Sequence, residues 1–235
     1  MKKKTLSIII PVYNEESTVE ALLSQVISVE LSWNKEIIVV NDGSTDQTEQ
    51  KIKPFFKKII YIKQENQGKG GAVRTGLEKA TGDYVIIQDA DLEYDPIQIP
   101  KLLAVADRYP NCAVFGSRIS SPPVLFGKKR TILLLHYFAN RLFSLITSLL
   151  YGIWITDMET GYKLFPVAAI SKMNLKAQGF ELEPEITAKL VKNGYKIKEV
   201  AITTNPRGFE HGKKFNTIRD GSRALLGIFK YRFTN

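Results

Sequence analysis

Between Leu6 and Gly116 the chain alternates short β-branched runs with longer amphipathic stretches, and few folds accommodate that pattern. The runs are Leu6–Val12, Glu36–Asn41, Lys58–Ile62, Tyr84–Gln88 and Ala113–Gly116. Helical patterns separate them: one through about Val29, a short one before Pro54, then Gly70–Ala80 and Pro96–Arg108. Ser17 with Glu20 three residues later reads as a capping box for the first helix. Asp46 reads as the cap of the second, and Pro96 stands near the first turn of the fourth. Strands alternating with helices predict an α/β fold with a mostly parallel sheet and helices on both faces.

The second half is less regular. Arg130–Tyr151 is expected as a long helix and Asp157–Phe165 as a loop running into a strand. Glu181–Asn193 is expected as a helix closing at Gly194, Tyr195–Thr204 as a strand, and Asn216–Phe233 as a closing amphipathic helix. No repeat or low-complexity linker divides residues 1–235, so a single domain is expected. The one cysteine, Cys112, lies in an apolar run and reads as a core thiol. It cannot form an internal disulfide.

In sheets of this kind ligands bind at the carboxyl ends of the strands. The segments there are Pro11–Glu15, Asn41–Asp46, Asp89–Asp95 and Ser117-Arg118, and three of the four carry carboxylates. In an extended chain Asp89, Asp91 and Glu93 would face one side and converge. Clustered carboxylates call for a cation. Mg²⁺ or Mn²⁺ takes one or two of them and fills its shell with phosphate and water. Tyr13 can stack on a base, and Asp42 ends the strand beside it. Gln67-Gly68-Lys69-Gly70-Gly71 opens a helix whose N–H groups could attract phosphate.

The formal charge is +9, which favours anionic partners. No acidic residue occurs from Arg108 to Thr156, where Arg118, Lys128, Lys129, Arg130 and Arg141 lie. No aromatic-interleaved motif for nucleic acid appears. Met1-Lys2-Lys3-Lys4 before Leu6–Ile10 imitates a signal peptide, but Pro11 and Asn14-Glu15-Glu16 follow at once, so a buried strand is expected. In the helix from Arg130, His136, Asn140, Ser144 and Ser148 recur every four residues as a polar stripe on an apolar cylinder. Such a helix suits the membrane interface, basic end on anionic lipid, better than full spanning.

Taken together, Pro11-Val12-Tyr13-Asn14-Glu15, Asn41-Asp42-Gly43-Ser44-x-Asp46, Asn66-x-Gly68-Lys69-Gly70 and Asp89-Ala90-Asp91 resemble glycosyltransferase family 2 with its Rossmann-like GT-A fold. Gly116-Ser117-Arg118, Arg130 opening an apolar helix, Asp157-x-x-Thr160-Gly161-Tyr162, Arg207 and Lys213 resemble its polyprenyl-phosphate branch, the dolichyl-phosphate mannose and glucose transferases. The resemblance implies that residues 1–120 bind the nucleotide sugar and 121–235 meet acceptor and membrane. Pro11, Tyr13, Glu15, Val40 and Asp42 would hold the nucleoside. Asp89, Ala90 and Asp91 would meet the diphosphate and metal, with Glu93 as an extra ligand. Lys69, Arg118, Arg207 and Lys213 would contact the donor, and Arg130 the acceptor phosphate. Asp91, Arg118 and Asp157 would be catalytic.

The implied reaction moves a hexose from GDP-mannose or UDP-glucose to a polyprenyl phosphate, with inversion. The enzyme would lie peripherally on the cytoplasmic face of a membrane, held by the helix, the basic tail or an anchoring partner protein. A phosphate acceptor is already anionic and needs cations rather than a general base. A sugar or protein hydroxyl acceptor, or a nucleotide-sugar-binding module without turnover, are the alternatives.

Overall fold

The computed structural model describes residues 3–119, 134–179, 181–205 and 217–234. Seven strands form one sheet in the order β3-β2-β1-β4-β6-β5-β7. β1 (Thr5–Val12) pairs in parallel with β2 (Asn34–Asp42) and β4 (Tyr84–Ile87), and β3 (Ile60–Gln64) extends β2. β5 (Ala113–Ser117) pairs in parallel with β7 (Ile197–Ala201). The strand expected at the end of the Asp157 loop is β6 (Lys163–Pro166), and it enters antiparallel to both neighbours, β4 and β5.

Alternation along β1 explains the two-sided core. Leu6, Ile8, Ile10 and Val12 pack on one face with α1 (Val19–Ser28) and α4 (Ile99–Arg108). Ile9 points the other way, toward α3 (Gly68–Lys79) and α6 (Leu182–Lys192). Cys112 is buried.

Several local expectations are corrected. The capping box does not form: α1 starts after Thr18, which has no side-chain cap bond, and Thr18 Oγ1 donates to Glu15 Oε2 instead (2.8 Å). The expectation for Asp46 holds: it accepts from Thr48 N (3.0 Å) at the start of α2 (Thr48–Ile52). The fourth helix begins as a separate single turn, Pro96–Gln98, closed by Asp95 accepting from Ile97 N (2.9 Å).

The largest revision concerns α5 (Leu134–Tyr151). Its Ser144 and Ser148 are buried, so this half of the expected polar stripe faces the protein; the His136 side chain lies outside the described residues. Ser144 Oγ donates to Asn140 O and accepts from Met158 N (2.9 Å), while Ser148 Oγ bonds both backbone groups of Ile155. The hydroxyls thus satisfy the segment leading to Asp157. The outward face is apolar: Phe138, Leu142, Leu145 and Leu149, spaced by three and four. Leu149 is 76% exposed and Trp154, just beyond the helix, 74%. α7 (Thr217–Phe233) packs beside α5, with Tyr151 OH donating to Ile228 O (2.9 Å), and exposes Leu226, Phe229 and Phe233. No helix among the described residues is long and apolar enough to cross a membrane.

Candidate active site

The loops leaving β1 and β2 are sewn together. Asn14 N donates to Ser44 Oγ (3.0 Å), and Thr45 N donates back to Asn14 Oδ1 (2.8 Å). Glu15 N donates to Thr48 Oγ1 (2.8 Å), and Gln47 N to Glu16 Oε2 (2.9 Å). Pro11, half-buried, leads into this double loop, and Tyr13 stands exposed on it. Asp42 is buried, its Oδ1 accepting from Gln64 Nε2 (2.7 Å) and Gln67 N (2.9 Å). Val40 packs with Ile38 and Ala72, and Ala90 joins the other core cluster, so neither side chain is displayed at the surface.

That Gln67 contact begins a second correction. The amides at the start of α3 are engaged by the protein itself. Gly68 N donates to Asn66 Oδ1 (3.3 Å), and Gly70 N to Gln178 O (2.9 Å). A Cβ on Gly70 would stand 2.0 Å from Ala177 O, so only glycine admits this contact. The helix end docks residues 177–178 rather than an anion. A groove of about 1060 Å³ opens beside it, between Gln67-Gly68, Gln178-Gly179 and α7, but Asp89, Asp91 and Arg118 do not line it.

The segment after β4 is a turn, not an extended strand. Leu92 has φ +62°, and Asp91 Oδ1 accepts from Glu93 N (3.0 Å). Asp favours such local bonds to the backbone two residues on, which bends the chain. Among the described residues no three His, Cys, Asp or Glu side chains are placed to share an ion, so Glu93 does not complete a three-acid cluster with Asp89 and Asp91. The two aspartates still offer hard oxygen donors, the set that Mg²⁺ or Mn²⁺ accepts when phosphate and water fill the remaining positions.

Lys69 pairs with this turn. Its Nζ lies 2.7 Å from Asp89 Oδ1 and 3.5 Å from Glu183 Oε1. Burial works against its charge, but Asp89 and then Glu183 outweigh that and raise its pKa. Glu183 is shared with Lys163, whose Nζ lies 2.6 Å from Oε2 and also donates to the carbonyls of Met158 and Thr160. Lys163 is fully buried, so Glu183 is held from below by a fixed cation.

Arg118 leaves β5 and meets Asp157 in a two-point pair. Nε lies 2.8 Å from Oδ2 and Nη2 2.8 Å from Oδ1, while Arg118 N also donates to Oδ2 (2.9 Å). Burial disfavours the guanidinium charge; Asp157 overcomes this and holds its pKa well above the usual range. Asp157 has no exposure, and its own N–H donates to Glu199 Oε1 on β7 (3.1 Å). Burial raises the Glu199 pKa.

The turn over residues 157–161 closes against the one over 89–94. Gly161 N donates to Tyr94 OH (2.8 Å), and a Cβ on Gly161 would lie 2.9 Å from Asp89 Oδ2. The Arg118 guanidinium stands 5.9 Å from the Tyr94 ring centre. Asp89, Lys69, Glu183, Lys163, Arg118 and Asp157 therefore belong to one constellation around Tyr94.

Residues 7–173 match the family model described as glycosyl transferase family 2. The chain belongs to that family. Its mostly parallel, mixed seven-stranded sheet covered by helices matches the GT-A fold. The likeness to glucosyl-3-phosphoglycerate synthase from Mycobacterium tuberculosis, solved with Mn²⁺, UDP and phosphoglyceric acid, covers 99% of this chain and 80% of that one, with a TM-score of 0.71 at 17% identity. A dodecaprenyl-phosphate galacturonate synthase from Rhizobium johnstonii is 28% identical over 97% of this chain. The chain spans 66% of that relative's length. A UDP-N-acetylglucosamine–dolichyl-phosphate N-acetylglucosaminyltransferase from Methanococcus voltae is 31% identical, with 87% of each chain covered.

The sequence analysis did not anticipate Lys163, Glu183, Glu199 and Tyr94 in this constellation. Two signals were present. Lys163 is a lone cation inside the apolar run Tyr162–Phe165, and Glu181-Leu182-Glu183-Pro184-Glu185 places acids at a helix start. Arg130, Arg207 and Lys213 lie outside the described residues.

Proposed function

We propose that this family 2 glycosyltransferase moves a hexose from a UDP- or GDP-sugar onto a polyprenyl phosphate at a membrane surface, with inversion. The observation that carries this reading is the Arg118–Asp157 pair standing against the Asp89 turn, in a protein that also exposes an apolar helix face. An attacking phosphate needs a rigid cation to position it, and a guanidinium fixed at two points by a buried carboxylate is such a group.

The roles follow strand order. Tyr13, Glu15 and Asp42, with Pro11, would hold the nucleoside over β1 and β2. Asp89 and Asp91 would hold Mg²⁺ or Mn²⁺ at the diphosphate, with Lys69 beside them. When bound, the ion offsets charge developing on the departing nucleotide. Arg118 would bind the attacking phosphate, with Asp157 acting through it as a positioning residue. Arg130, Arg207 and Lys213 would add cations from segments outside the described residues. The relatives named above carry polyprenyl-phosphate acceptors in their names, which supports the acceptor class.

Membrane attachment is assigned to the outward residues of α5, Trp154 and the outward residues of α7. An apolar face of this kind in a protein of charge +9 suits an anionic bilayer. Peripheral attachment on the cytoplasmic side is part of the same proposal.

The test is transfer to detergent-dispersed undecaprenyl and dolichyl phosphates from a panel of UDP- and GDP-sugars with Mn²⁺ or Mg²⁺, read by product mass. The reading expects a glycosyl-phosphoryl-polyprenol and loss of turnover with excess chelator. Transfer only to free glycans, or full activity in chelator, would overturn it.

A further inference from the structure

The constellation around Tyr94 contains four acids and three bases. Each base already has its carboxylate: Lys69 with Asp89, Arg118 with Asp157, and Lys163 with Glu183. Glu159 is the acid left over. Its Oε1 is buried and makes no hydrogen bond. An orphaned buried acceptor is costly, so a fold keeps one where something else satisfies it. Burial pushes the Glu159 carboxyl up to about 7, with Lys163 and Arg118 pulling it down and Glu183 and Asp157 pushing it up. Near neutral pH the group can therefore both accept and donate.

Its position in the sheet order suggests what satisfies it. Strands run β2, β1, β4, β6, β5 from the nucleoside side. In the donor-site reading above, on which this inference rests, the nucleoside lies over β2 and β1 and the diphosphate over the Asp89 turn after β4. The sugar is the next group along the donor, so it falls beyond Asp89. The wall there is the 157–161 turn, in contact with Asp89 through Gly161, and Glu159 is its middle residue.

We infer that Glu159 reads the transferred sugar, accepting from one of its hydroxyl or amino groups and selecting neutral or amino sugars against uronic acids. A neutral sugar hydroxyl supplies the donor that the orphaned oxygen lacks. A uronate carboxylate would bring a further anion to a place where the cations among the described residues, Lys69, Arg118 and Lys163, are already paired. A site built to hydrogen-bond a substrate group rejects ligands that leave it unpaired.

Binding measurements on the full chain separate this from a structural role. UDP, UDP-glucose and UDP-glucuronate, and GDP, GDP-mannose and GDP-mannuronate, are titrated calorimetrically with Mn²⁺ into wild type, Glu159→Gln and Glu159→Ala. Expected is unchanged affinity for the nucleoside diphosphate in all three proteins. The neutral sugar nucleotide should weaken about tenfold in Glu159→Ala, and its preference over the uronate should narrow by a similar factor in Glu159→Gln. Equal losses for diphosphate and sugar nucleotide, or an unchanged neutral-to-uronate ratio, would overturn the inference. Failure of wild type to bind either UDP or GDP would instead overturn the donor-site reading, and this inference with it.

Discussion

Lys163 Nζ lies 2.6 Å from Glu183 Oε2, in a place where the lysine has no solvent exposure. The pair joins β6 to α6 beneath the Asp89 turn. Two buried charges are tolerated because each neutralises the other and two carbonyls take the remaining ammonium protons.

Removing one member should therefore cost more than removing both. Lys163→Met leaves Glu183 buried with only the 3.5 Å Lys69 contact, and a loss of about 3–5 kcal/mol is expected in urea unfolding. Adding Glu183→Leu should recover a large part of it. Equal losses in single and double variants would show that the pair is not coupled.

Arg118→Lys keeps the charge but cannot make the two-point contact with Asp157. If Arg118 positions the acceptor, kcat/KM should fall about 100-fold, corresponding to ~2.7 kcal/mol of transition-state stabilisation. Steady-state kinetics with a thermal melt decides between this and simple unfolding. Unchanged kcat/KM in a folded variant would remove Arg118 from the chemistry.

Gly70→Ala places a methyl where Ala177 O already stands, 2.0 Å from the new carbon. Backbone must shift on both sides, and the bond from Gly70 N to Gln178 O goes with it. A destabilisation of about 2–3 kcal/mol is expected from calorimetric melting. A melting temperature equal to wild type would mean that the 177–178 segment yields freely.

Glu159 gives a signed pH effect. Its folded pKa is raised from an ordinary 4.5 to about 7, so the folded state binds the proton more tightly than the unfolded one. Its contribution to stability is intact below pH ~4.5 and is lost as pH rises to about 7, a change on the order of 1–3 kcal/mol. Glu159→Gln should gain on wild type progressively between pH 5 and 8 in denaturant titrations. Parallel stability curves would contradict a raised pKa.

Leu149→Glu puts a charge at the most exposed point of the α5 face. Binding to phosphatidylglycerol vesicles, followed by sedimentation, should drop about tenfold or more, with the melting temperature unaltered. Retained binding would move the membrane contact elsewhere.

The order of strands and helices through Ser117 was legible in the sequence because it depends on short-range periodicity. β-branched runs and helical spacing are local properties, and the carboxyl-edge rule converts them into a location. The placement of the Asp-Gly and Asp-x-Asp segments just after β2 and β4 was legible for the same reason. Tertiary structure alone decided how charges paired. Lys163 meets Glu183 across 20 residues and Arg118 meets Asp157 across 39, through an antiparallel strand inserted between parallel ones. It also decided that Ser144 and Ser148 turn inward, leaving leucines outside, because the backbone of residues 155–158 needed partners. A sequence states which groups must be satisfied; only the folded chain determines which neighbour satisfies each, and so which one, like Glu159, is left for a ligand.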